Sequence, residues 1–150
     1  MAQKREELEK EIRKNNFNLL MKVIAQIRSL SFWIFLVPLV AINTCLFISV
    51  NYHFFEGTIL TVDQIGRSGF TVPYLDGSLS ISRASRTFPQ YLIFKPGMAI
   101  TAILLCFYWY KNNALINYFN NNSSKKNNFM IFGILSAVFL LIHSILLGIE

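Results

Sequence analysis

Apolar residues in this chain fall into three long runs separated by polar stretches. Residues 31–50, 91–110 and 129–148 are each about twenty residues long, and the first and third hold no Asp, Glu, Lys or Arg before residue 150. Twenty apolar residues in helical form cover the roughly 30 Å hydrocarbon core of a bilayer, so the pattern predicts three transmembrane helices. Ahead of the first run, residues 3–28 carry Leu8, Ile12, Leu19, Leu20, Val23, Ile24 and Ile27 tending to one side of a helix. Glu6 with Lys10 and Glu9 with Arg13 support that helix at i,i+4 spacing, whereas Asn15, Asn16 and Asn18 weaken its middle. The expected fold class is therefore all-α: an integral membrane protein with three transmembrane helices, an N-terminal amphipathic helix and an extracytoplasmic loop of irregular structure.

The polar stretches divide the chain further: residues 1–30 as a cytoplasmic amphipathic segment, 51–90 as the extracytoplasmic loop and 111–128 as a cytoplasmic connector. The loop is rich in Gly, Ser, Asp and Pro, and short strands are expected at 58–62 and 70–73. Trp33 and Tyr52 flank the first span, and the run Phe107, Tyr108, Trp109, Tyr110 ending in Lys111 marks an interfacial belt. Pro38 and Pro96 are tolerable in membrane helices, the second because it falls near a helix start. Asn43 is the only amide in the first span, and in hydrocarbon it favours a partner on a neighbouring helix.

Charge orients this arrangement. Seven of the fourteen Lys and Arg precede Ser29, and the connector adds Lys111, Lys125 and Lys126. In the loop, Arg67, Arg83 and Arg86 are balanced by Glu56, Asp63 and Asp76. The basic ends are thus expected on the cytoplasmic (or matrix or stromal) side and the loop outside, which leaves the acceptors Asn121 and Asn122 unglycosylated. The net charge of +6 sits beside apolar spans, so anionic lipid is the expected counter-charge and nucleic acid is not an expected partner. A hydrophobic share of 53% agrees with a membrane chain. Cys45 and Cys106 both lie in spans, where they act as small apolar residues.

Searches for chemistry find no metal-spaced Cys or His, no nucleophile elbow and no phosphate-cradling loop, so neither cofactor nor metal is expected. His53 and His143 fall toward the same membrane face but lack a third strong ligand. The segment 71–97 is the most informative: Arg83, Arg86 and Lys95, with Ser80 and Ser82, supply donors at the depth of lipid phosphates. Arg13, Lys14, Lys22 and Arg28 are the corresponding membrane-surface candidates on the other side.

Within that segment Pro73-Tyr74, the Ser-rich 78–82, Pro89-Gln90 and Ile93-Phe94 ahead of Gly97 resemble the DRAM/Frag/Sfk family of polytopic membrane proteins. Gln90 stands where that family usually has an acidic residue, and the chain has room for three of its five or six spans. The resemblance implies a lipid-linked, non-catalytic role, since the family includes regulators of phosphoinositide kinase recruitment, autophagy modulators and a factor that remodels GPI-anchor lipids. The expected function is a lipid-interacting membrane adaptor or regulator, with membrane lipids and other membrane proteins as partners. An accessory subunit of a respiratory or photosynthetic complex is the alternative. A lipid-remodelling enzyme using Ser80, Ser82 or His143 is a second alternative.

Overall fold

The computed structural model describes residues 2–61, 75, 80–119 and 129–147. Four α-helices account for most of these: α1 (Ala2–Val50), α2 (Ile81–Arg86), α3 (Tyr91–Phe119) and α4 (Phe129–Leu146), with a short 3-10 helix at Tyr52–Phe55. There is no strand among the described residues. Helices α1, α3 and α4 each contain a window long and apolar enough to cross a membrane.

Helix α1 joins the expected N-terminal helical segment and the first span into one element. It runs unbroken for 49 residues, about 73 Å at 1.5 Å per residue, straight through Asn15, Asn16 and Asn18. The i,i+4 pairs are present at 2.8 Å for Lys10 with Glu6 and 3.6 Å for Arg13 with Glu9, both exposed and worth only a few tenths of a kcal/mol. Pro38 lies inside the helix without ending it. Asn43 Nδ2 donates to the Leu39 carbonyl of its own helix at 2.7 Å, and the residue is exposed.

Two close approaches define how α3 meets α1. The Cβ of Ala41 lies 2.9 Å from where a Cβ on Gly97 would stand, and the Ser49 hydroxyl is 3.1 Å from the Gln90 amide. Moving up α3 from Gln90 to Gly97 thus moves back along α1 from Ser49 to Ala41, so the helices are antiparallel in nearly one-to-one register. Continued, that register brings Lys111 level with about Arg28 and Phe119 level with about Leu20. Burial agrees: Leu20 is the first half-covered residue of α1, followed by Val23, Ile27, Leu30 and Ile34 at three- and four-residue steps.

Helix α4 packs on the other side of α3, also antiparallel. Gly133 accepts the Trp109 indole so closely that a Cβ there would fall inside the ring's contact distance, and Lys95 Nζ donates to the Ile145 carbonyl at 3.3 Å. Phe129 is therefore level with about Asn112, and α3 continues roughly 10 Å beyond it. The expected solvated connector from residue 111 is helical as far as Phe119. Pro96 is the sixth residue of α3, one turn deeper than the helix start at which it was expected.

The core sits at the opposite end, where Cys45 and Leu46 of α1, Ala84 of α2 and Phe94 and Met98 of α3 meet, with Ile42, Leu140 and Leu147 packed around them. Among the expectations, residues 56–60 form turns rather than a strand. Asp63, Arg67, Asp76, Ser78, Asn121, Asn122, Lys125, Lys126 and the second strand at 70–73 lie outside the described residues.

Candidate functional site

The expected irregular loop contains a helix where the candidate residues cluster. Ser80 is the N-cap of α2: its Oγ accepts from the Arg83 backbone N–H at 3.1 Å, satisfying a donor that the first turn otherwise leaves open. One face of α2 is small and buried, with Ala84 and Ser85 each 1% exposed. Ser85 Oγ donates to the Ser82 carbonyl at 3.0 Å, and Thr87 Oγ1 donates to the Ala84 carbonyl at 3.3 Å, where the helix ends. The other face carries Ser82, Arg83 and Arg86, all exposed. A six-residue helix has no stability of its own, so its position comes from what lies beneath it.

Beneath it is Gln90, fully buried at the start of α3. Its amide is oriented by its neighbours: the oxygen accepts from the Ser49 hydroxyl at 3.1 Å, and the NH2 faces the carbonyls of Thr87 at 3.1 Å and Phe88 at 2.9 Å. The reverse orientation would set the amide oxygen against those carbonyl oxygens, which repel it. The Gln90 backbone carbonyl also accepts from Cys45 Sγ at 3.4 Å and from the Phe94 N–H at 2.9 Å. One residue, through its side chain and its backbone carbonyl, thereby ties the end of α1, the α2–α3 turn and the first turn of α3. Sequence reasoning singled out Gln90 only as part of a resemblance; nothing in its neighbours marks it as buried.

Lys95 separates from the arginines. Its Nζ lies on the Ile145 carbonyl and 5.8 Å from the centre of the Tyr91 ring, so it caps the last turn of α4 and is not aligned with α2 as a headgroup ligand. The four membrane-surface candidates, Arg13, Lys14, Lys22 and Arg28, are exposed along α1. Only Arg28 is level with the end of the apolar run. Along the unbroken helix Arg13 and Lys14 stand more than 20 Å from Arg28, at about 1.5 Å per residue.

The histidines do not form a pair. His53 Nδ1 meets Glu56 Oε1 at 3.1 Å, and His143 is exposed in the last turn of α4. No group of three His, Cys, Asp or Glu that could hold a metal ion occurs among the described residues. Ser80 and Ser82 are exposed, with no histidine among the hydrogen-bond partners of either.

Comparison with protein-family models, with curated proteins and with solved structures finds no match to this chain. The DRAM/Frag/Sfk resemblance accordingly gains no support from relatives and carries no part of the reading below.

Proposed function

We propose that this chain is a non-catalytic membrane adaptor that holds an arginine pair, Arg83 and Arg86, at the level of anionic lipid headgroups. The observation that carries the reading is the anchoring of α2: its small face and Gln90 are buried against α1 and α3, while both guanidiniums are exposed at the end of the bundle. A guanidinium offers a planar fork of donors suited to phosphate, and a basic residue near an anionic surface contributes about 1 kcal/mol. Ser80 and Ser82 add hydroxyls on the same short helix. By the distribution of Lys and Arg, this end faces away from the cytoplasm and the N-terminus toward it.

Purifying the full chain from its native membrane in mild detergent, with and without Arg83→Ala and Arg86→Ala, tests this reading directly. Loss of co-purifying anionic lipid in the double variant is expected, and unchanged lipid would overturn the reading. Accessory-subunit behaviour is favoured by a different observation, the exposed apolar residues Leu8, Ile12 and Leu19 beyond the membrane-length part of α1. Blue-native electrophoresis separates the two: migration with a very large complex would establish the subunit, and free or small-oligomer migration the adaptor.

A further inference from the structure

The ten residues that follow α1 combine two properties rarely found together in a solvated turn. Phe54, Ile59 and Leu60 are exposed, Ile59 to 94%, and between residues 51 and 61 the only carboxylate is Glu56, paired with His53, with no Lys or Arg. At the same time part of the segment's backbone is satisfied from within it. The N–H groups of Phe54, Glu56, Thr58 and Thr61 donate to the carbonyls of Asn51, His53, Phe55 and Thr58, and the Leu60 N–H donates to Thr58 Oγ1. Thr58 and Thr61 turn their hydroxyls inward, onto the Phe55 carbonyl at 2.7 Å and the Thr58 carbonyl at 2.6 Å.

Apolar side chains facing outward from a partly self-bonded backbone without Lys or Arg describe a segment suited to the interfacial boundary of a bilayer, where water still reaches the remaining backbone groups. Its tether leaves little choice of location, because residue 51 follows directly on the last residue of a membrane-length helix whose exposed Phe47 already faces lipid. Gly57, at φ +76°, supplies the left-handed backbone of the turn, across which Thr61 Oγ1 reaches back to the Phe55 carbonyl at 3.3 Å. We infer that residues 54–60 form an apolar anchor that dips Phe54, Ile59 and Leu60 into the adjacent leaflet. The anchor rests on the reading that α1 crosses the membrane and deepens the proposed function, since it would set the depth at which α2 offers its arginines.

The test uses the full chain with Ile59→Cys and Cys106→Ala, spin-labelled at residue 59 while Cys45 stays buried. Vesicles are made of phosphatidylcholine alone or with one third phosphatidylserine. The label is expected to be several-fold more accessible to oxygen than to a water-soluble nickel chelate in both mixtures. Phe54→Ser with Leu60→Ser is expected to shift accessibility several-fold toward the chelate. Preferential access for the chelate in both mixtures would overturn the anchor, as would low access for both reagents, which would mean cover by protein. Insertion in both mixtures without any preference for phosphatidylserine would support the anchor and count against the headgroup reading alone. A label at Leu60 repeats the measurement should the Ile59 variant fold poorly.

Discussion

At the loop end of the bundle, α2 folds back over α1 and α3, and Ser49, Cys45 and Thr87 each bond to the buried Gln90. At the other end, α3 runs past the first residue of α4, α1 runs farther still, and residues 3–19 of α1 are exposed on every side. One end is closed by tertiary contacts and the other is held together by helix propensity and two solvent-exposed ion pairs. The difference teaches where precise placement is available: a side chain can be aimed only where its backbone is braced, and here that is α2.

Breaking each end separately sharpens the contrast. The largest effect is expected from Gly133→Leu, which drives a side chain into the Trp109 indole at the joint between α3 and α4. Destabilisation of about 3 kcal/mol is expected in detergent unfolding, with partial recovery on adding Trp109→Ala; full stability in the single variant would contradict the packing. Gln90→Leu should cost about 2 kcal/mol by removing the buried amide that the Thr87 and Phe88 carbonyls and the Ser49 hydroxyl bond to. It should also expose Ser85→Cys to water-soluble maleimide, whereas unchanged protection would show that α2 does not depend on Gln90. Leu8→Ser with Ile12→Ser is expected to move unfolding by less than about 0.5 kcal/mol, because neither residue is covered. A larger loss would reveal a partner on the stalk.

Much of this contrast was legible in the sequence, and the remainder was not for identifiable reasons. Three long apolar runs, two of them free of charge, located α3, α4 and the apolar part of α1, since hydrocarbon admits few other solutions. The helix expected over residues 3–28, weakened at Asn15, Asn16 and Asn18, runs on without a break into the first span, because stronger helix formers on both sides carry through these residues. The extension of α3 to Phe119 was obscured by Asn112, Asn113 and Asn117. Helix α2 is too short for a periodic signal, and its one marker was a Ser cap three residues before Arg83. Lys95 was grouped with the arginines by sequence distance, and only the antiparallel register of α3 and α4 brings the Ile145 carbonyl to it.

The most direct measurement is lipid selectivity in defined bilayers. Spin-labelled phosphatidylserine and phosphatidylcholine are compared for the fraction held motionally restricted by the reconstituted chain, native and with Arg83→Ala and Arg86→Ala. The native chain is expected to prefer the anionic lipid by about tenfold at low salt, with the preference lost in the double variant and reduced by salt in the native chain. Equal selectivity in the two proteins would contradict the assignment of Arg83 and Arg86 as the headgroup ligands.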